Sequence, residues 1–250
     1  MSDHQLAARL ATEAGELLLA VRAELADATA AERKSAGDKR SHAFLMAALA
    51  EHRPDDAVLS EEASEEDRAN SVRLSARRVW IVDPLDGTRE FSELGRDDWA
   101  VHVALWESGE LVAGAVALPA QGVTLATPDV AAPPAAPATP RIVVSRTRPP
   151  AVALAVRDAL GGTLVEMGSA GAKVASVVQG VADVYVHAGG QYEWDSAAPV
   201  AVARAAGLYT SRIDGSPLLY NRADPLLPDL IVCRPELADA VLAVTTSALG

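Results

Sequence analysis

Trp80-Ile81-Val82-Asp83-Pro84-Leu85-Asp86-Gly87-Thr88 reads as a strand that ends in two carboxylates. The apolar run that starts at Arg78 delivers Asp83 to its C-terminal end, where Pro84 gives up an amide donor and turns the chain. Asp86 then returns a second carboxylate to the same neighbourhood, with the Leu85 carbonyl between the two. Two carboxylates and a carbonyl make a hard oxygen site, suited to Mg²⁺ rather than zinc. Asp86-Gly87-Thr88 also reads as the opening of a helix, with Asp86 at the cap and the Gly87 and Thr88 amides aimed at an anion. Asp-Pro or Asp-Gly alone is an ordinary turn signal. The whole strand-plus-turn unit instead places metal and phosphate chemistry within a few residues of each other.

Outward from that unit, helices and strands alternate. Asp3 is expected to cap a first helix, in which Leu6, Leu10, Leu17, Val21 and Leu25 recur on one face. A second helix is expected over 41–51, ending before Pro54. A short strand over 57–60 leads into the acidic run Glu61, Glu62, Glu65, Glu66 and Asp67. Such runs are mostly solvated faces, which suits Glu65 onward, whereas Glu61 directly follows a buried strand. Segments 99–106 and 111–118 read as a hairpin around Ser108-Gly109. The Ala- and Pro-rich segment 128–140 is too proline-dense for a helix or central strand. It reads as a loop or linker between residues 1–127, which carry the metal motifs, and an α/β half over 141–250, the two forming one catalytic unit. In the second half, strands over 141–145, 163–167, 184–187 and 229–233 precede helices over 150–160, 170–181, 196–206 and 235–249. No glycine-rich phosphate loop of the Walker or dinucleotide kind is present.

Composition narrows the chemistry. Half of the 250 residues are hydrophobic, enough for a sizeable core. A net charge of -12 repels a phosphate backbone and argues against nucleic acid as a partner. The same charge suits a small phosphorylated substrate only if some carboxylates hold divalent cations. The single cysteine, Cys233, excludes an intrachain disulfide and fits a reducing compartment, so a cytoplasmic location is expected. The charged N-terminal stretch is unlike a signal peptide, and no run approaches the roughly 20 apolar residues of a membrane span.

With these residues in view, the unit around Asp83 and Asp86 resembles the metal-binding signature of the inositol-monophosphatase superfamily. Ser60-Glu61-Glu62 resembles that family's Gly/Ser-Glu-Glu motif, and Trp194-Asp195-Ser196-Ala197-Ala198 its Trp-Asp-x-Ala motif. Asp38, four residues before His42, matches the family's early Asp, although Ser35-Ala36-Gly37-Asp38 departs from the usual Thr-x-Ala-Asp. Glu61 also has a plain reading as part of an acidic face, and Asp195 as the cap of the helix after it. The resemblance implies an α/β (α+β) fold, the layered α-β-α-β-α sandwich of the inositol monophosphatase and fructose-1,6-bisphosphatase type. It implies two or three Mg²⁺ ions held by Glu61, Asp83, the Leu85 carbonyl, Asp86 and Asp195. Thr88 and Asp38 would orient the attacking water. Sensitivity to lithium and a homodimer are further expectations of the same kind. His4, His42, His52 and His102 fall in no nucleophile motif and are expected to be structural or exposed.

Details after the signature lean toward one branch. Arg89-Glu90-Phe91 resembles the Lys/Arg-Glu-Phe of CysQ-type nucleotidases, which act on the 3′-phosphate of 3′-phosphoadenosine 5′-phosphate. Segment 143–148 resembles that branch's Val-Ser-Arg-Ser-His, with Arg148 in place of His. Segment 168–173 resembles its Gly-Ser-Ser-x-Lys with one residue more, and His187 falls where Arg is frequent. A bisphosphate needs cations away from the metals, and Arg146, Arg148, Lys173 and His187 are candidates. Gly87, Thr88, Arg89, Ser145 and Ser169 complete the expected substrate contacts, and Asn221 is a weaker candidate near the base. Two alternatives stay open: a broader inositol-phosphate or fructose-bisphosphate phosphatase, and a non-catalytic Mg²⁺ or nucleotide binder on the same scaffold.

Overall fold

Helix α1 (Asp3–Glu24) and helix α2 (Ala30–His52) open the computed structural model, which describes residues 1–64, 68 and 71–248. Each helix starts from a hydroxyl cap. Ser2 accepts the Gln5 amide and Thr29 accepts the Glu32 amide, both at 3.2 Å, while the Gln5 and Glu32 side chains accept the cap amides in return. Asp3 is therefore not the cap. It sits in the first turn and pairs with Arg53 at 2.7 Å and Arg78 at 3.0 Å. The Thr29–Glu32 box also starts α2 well before position 41, so Asp38 lies inside the helix rather than ahead of it.

The first sheet has the order β1 (Ala57–Ser60), β2 (Arg78–Asp86), β3 (Ala100–Glu107), β4 (Glu110–Leu118) and β5 (Val123–Ala126). β1 runs parallel to β2 and the other neighbours are antiparallel. Short helices α3 (Ser71–Ser75) and α4 (Thr88–Ser92) lie on either side of β2. The β3–β4 hairpin turns at Ser108 and Gly109, both at positive φ, as a tight two-residue turn requires. The second sheet has the order β7-β6-β8-β10-β9, from β6 (Arg141–Ser145), β7 (Thr163–Met167), β8 (Val184–Tyr192), β9 (Tyr209–Ser211) and β10 (Leu226–Cys233). Its helices are α5 (Ala151–Leu160), α6 (Ala170–Val178), α7 (Glu193–Ala205) and α8 (Ala238–Ser247).

Period-two alternation sorts the strand residues between layers. Trp80 and Val82 pack with Leu6, Leu10 and Leu45 under α1 and α2. Val79 and Ile81 face the other way, into a middle core with Val174 of α6, Val200 of α7, and Tyr185 and Val232 of the second sheet. Ile142, Val184 and Val186 point to the far side, against Val156 of α5 and Val241 of α8. The result is the expected α-β-α-β-α stack.

Several boundaries differ from expectation. β8 runs on to Tyr192 and β10 begins at Leu226, because Leu226 and Leu227 continue the ladder opposite Tyr192 and Gln191. Helix α7 therefore starts at Glu193 rather than 196. Helix α6 ends at Val178, ahead of Gly180 at φ 72°. A short 3₁₀ turn, Pro235–Leu237, precedes α8. Segment 128–140 carries no helix or strand, yet Val130 packs on the middle core and Pro134 lies against Gly180. Glu65, Glu66 and Asp67 of the acidic run, and Leu249 at the expected end of the last helix, lie outside the described residues. Among the described residues, no helix is long and apolar enough to cross a membrane.

Candidate active site

The C-terminal end of β2 and the first turn of α7 bring Asp83, Asp86 and Asp195 together, with one carboxylate oxygen of each within 4.8 Å of the others. Pro84 interrupts the β2–β3 register between Asp83 and Asp86, and the excursion swings both carboxylates to one side. The Leu85 amide donates to Asp83 Oδ1 at 3.0 Å, and Ser41 donates to the Pro84 carbonyl at 2.6 Å, which fixes the turn. Asp195 is the third residue of α7 and accepts the Tyr192 amide at 2.6 Å, so it caps its helix while facing the cluster. Parallel pairing of Ser60 with Val82 sets Glu61 beside Asp83, and the two carboxyls share a hydrogen bond. Arg68 donates to the Glu61 carbonyl and lies 4.8 Å from the Trp194 ring centroid.

Burial and mutual repulsion dominate the electrostatics. Burial, then the charges of Glu61, Asp86 and Asp195, push the Asp83 carboxyl well above the usual carboxylate range. Burial with the neighbouring charges raises Glu61 and Asp195 to about 7. Carboxyls arranged this way ionise together only beside a cation, and an all-oxygen donor set fits a hard divalent ion. Asp86 behaves differently. Burial pushes it up, but His102, Ser169 and the Gly171 amide outweigh burial and hold it down at about 2. Its Oδ2 accepts from the Ser169 hydroxyl and from the Gly171 amide at 2.5 Å, and Oδ1 accepts from the Ala170 amide at 3.2 Å.

Asp86 thus accepts from the first turn of α6 rather than capping the helix that follows it. It is still paired with Ala100 in the sheet, and the N-cap of α4 is Gly87 at φ 82°. A Cβ at Gly87 would stand 2.8 Å from Ser169 Cβ and 3.3 Å from Trp99, so the position is closed to larger residues. The Thr88 hydroxyl lies 3.3 Å from the Leu85 carbonyl and is hydrogen-bonded to Asp38, which α2 carries in from the outer layer. Burial, then the charge of Glu62, raises Asp38 to about 6.

Beside the carboxylates lies a cavity of about 430 Å³ that takes in Asp86, Gly87, Asp195, Ser145, Arg148, Ser169, Lys173 and His187. Arg148 is exposed there and has no ion-pair partner among the described residues. Lys173 is buried, donates to the Gly168 and Ser169 carbonyls, and sits 5.5 Å from the Tyr185 ring centroid. Burial pushes His187 below its ordinary value, which disfavours the cation expected at that position. Arg146 is tied to Glu90 and Glu93 at 2.8 Å, and Arg89 pairs with Glu93 at 3.2 Å; neither lines the cavity. Nor does Asn221, whose amide donates to Glu193 at 2.6 Å and whose side chain accepts from Arg73 at 2.6 Å.

Sequence reading missed two residues that shape this site. Asp98 accepts the Gly168 amide at 2.6 Å and its carbonyl accepts the Ser169 amide at 3.3 Å, which anchors the turn before α6. His102 is fully buried on β3, with Nε2 3.2 Å from Asp86 Oδ2 and Nδ1 3.0 Å from the Trp194 carbonyl. The available signal was a histidine in the middle of an apolar strand pattern.

Comparison with known proteins agrees with this geometry. The inositol monophosphatase family model matches residues 3–130 and 140–248. A 3′-phosphoadenosine 5′-phosphate phosphatase of Mycobacterium tuberculosis is 51% identical over 245 residues, covering 94% of this chain and 90% of that protein. The 3′(2′),5′-bisphosphate nucleotidase CysQ of Escherichia coli K12 is 31% identical, covering 77% of this chain and 81% of that one. Among solved structures, inositol monophosphatase II of Staphylococcus aureus superposes with a TM-score of 0.80 at 20% identity, over 100% of this chain and 96% of that chain. CysQ of Bacteroides thetaiotaomicron gives 0.75 at 27% identity, over 93% and 97%. The motifs, the layered fold and these matches agree: the chain belongs to the inositol monophosphatase family.

Proposed function

We propose that this protein is a Mg²⁺-dependent phosphatase that removes the 3′-phosphate of 3′-phosphoadenosine 5′-phosphate, and of the corresponding 5′-phosphosulfate. The observation that carries the reading is the carboxylate cluster at one end of a cavity whose rim holds an unpaired arginine, Arg148. One phosphate belongs at the cluster and a second belongs at the cation. The names of the relatives at 51% and 31% identity support the same substrate class.

Asp83, Asp86 and Asp195, with Glu61 and the Leu85 carbonyl, would hold two or more Mg²⁺ ions. Bound there, Mg²⁺ supplies charge neutralisation at the phosphoryl oxygens and acidifies water. Asp38 and Thr88 orient the attacking water, and Asp38, held near pH 6, receives its proton as the new oxygen–phosphorus bond forms. The phosphorus–O3′ bond breaks in line, and the departing oxygen takes a proton from solvent. Arg148 anchors the 5′-phosphate and fixes which end of the nucleotide meets the carboxylates. The lone buried Cys233 and the net charge of -12 fit a cytoplasmic enzyme. A homodimer rests on the family resemblance.

The test is phosphate release from 3′-phosphoadenosine 5′-phosphate by purified protein, first stripped with a chelator and then supplied with Mg²⁺. Release that depends on Mg²⁺ and leaves adenosine 5′-phosphate is expected. Release undiminished by the chelator, or removal of the 5′-phosphate, would refute the reading.

A further inference from the structure

His102 stands opposite Asp83 in the β2–β3 ladder, and its imidazole fills the gap between two segments that sequence places far apart. One nitrogen lies 3.2 Å from Asp86 Oδ2, and the other lies 3.0 Å from the carbonyl of Trp194, the residue before Asp195. The contact to Asp86 is a close charge contact rather than a well-aligned hydrogen bond. The first turn of α6 leaves room for the ring. A Cβ at Gly171 would overlap His102 Nε2 and would stand 3.0 Å from Asp86 Oδ2. A fully buried imidazole is a costly choice for a strand interior, where an apolar side chain of that size needs no partners. The structure accommodates it with a glycine, gives Nδ1 the Trp194 carbonyl and sets Nε2 against the Asp86 carboxylate.

We propose that His102 is a positioning residue that braces Asp86 against the α7 turn carrying Asp195, and that Gly171 is small in order to admit it. The proposal rests on the carboxylate cluster being a Mg²⁺ site. Groups that orient metal ligands from behind typically matter 10–100-fold in metal affinity or activity. The ring meets Asp86 at Oδ2, the oxygen that also accepts from Ser169 and Gly171, while Oδ1 accepts from the Ala170 amide at 3.2 Å. Without the ring, Asp86 keeps its α6 donors but loses its link to α7.

The test compares wild type with His102→Leu, His102→Asn and Gly171→Ala. Two readouts are needed: the Mg²⁺-induced rise in melting temperature without substrate, and the Mg²⁺ concentration giving half-maximal phosphate release. His102→Leu should fold and need roughly 10-fold or more Mg²⁺ in both readouts, with kcat at saturating Mg²⁺ falling less. Gly171→Ala should reproduce the defect by displacing the ring, and should cost little further in the His102→Asn background. If His102→Leu is insoluble, His102→Asn and Gly171→Ala decide the matter. A wild-type Mg²⁺ midpoint in a folded His102 variant overturns the proposal. So does an equal cost of Gly171→Ala in both backgrounds. A wild type whose melting and activity ignore Mg²⁺ overturns the metal reading together with this one, whereas a responsive wild type with equally responsive variants overturns this one alone.

Discussion

Asp83 bears the sharpest conflict at the residue scale. It is fully buried among Glu61, Asp86 and Asp195, with no cationic partner of its own among the described residues. A carboxyl whose pKa is higher in the folded than in the unfolded state binds its proton more tightly when folded. That contribution is complete below the unfolded value of about 4 and is lost as pH rises through the folded value, about 7 for Glu61 and Asp195. In chelator, the melting temperature of the wild type should therefore fall between pH 5 and 8. Asp83→Asn should flatten that fall, melt higher than wild type at pH 8, and lose nearly all turnover in Mg²⁺. A mutant less stable than wild type at both pH values, or one with normal turnover, would contradict this account. Sequence exposed Asp83, Asp86, Glu61 and Asp195 because each stands at the end of a strand or the start of a helix. It did not expose that Asp86 is held by the amides of Ala170 and Gly171, a contact between distant segments. The downward push on His187 was hidden for the same reason, since it follows from burial and not from residue type.

At the scale of elements, the turn from Gly168 into α6 organises the site. Asp98 holds its amides, Lys173 donates back to its carbonyls, and Ser169, Ala170 and Gly171 donate to Asp86. Lys173 is thus engaged within the turn, and the cation proposed for a second phosphate is Arg148. The two arginine and lysine variants should part company accordingly. Lys173→Ala should lower kcat/KM on 3′-phosphoadenosine 5′-phosphate and on inositol 1-phosphate by similar factors. Arg148→Ala should cost the bisphosphate roughly 10-fold and inositol 1-phosphate little, the size expected of one charge-assisted contact at an exposed position. Kinetics on both substrates decide it, and a loss confined to the bisphosphate in Lys173→Ala would reverse the assignment. The main strands and helices were legible from apolar periodicity and from Pro and Gly punctuation. The start of α2 and the join of β8 to α7 were not, because a capping box at Thr29 and a ladder from Leu226 carried regular structure past the apolar pattern. Strands β5 and β9 are short and depend on their neighbours in the sheet, so their own residues announce little.

Across the whole molecule, one sheet supplies Glu61, Asp83 and Asp86, while the second half supplies Asp195, Arg148 and the α6 turn. The carboxylate cluster and the cavity thus lie where the two halves meet across the middle core. This explains how a chain of net charge -12 can serve an anionic substrate: local carboxylates call for cations, and the cavity wall supplies an arginine. The contact proposed for Arg148 separates the nucleotide reading from an inositol monophosphate, which has no second phosphate, but not from fructose 1,6-bisphosphate, which has one. The most direct measurement is kcat/KM for 3′-phosphoadenosine 5′-phosphate, inositol 1-phosphate and fructose 1,6-bisphosphate, side by side with the same preparation in saturating Mg²⁺. The adenosine bisphosphate should be hydrolysed with the highest kcat/KM; a higher value for inositol 1-phosphate or fructose 1,6-bisphosphate would contradict the assignment.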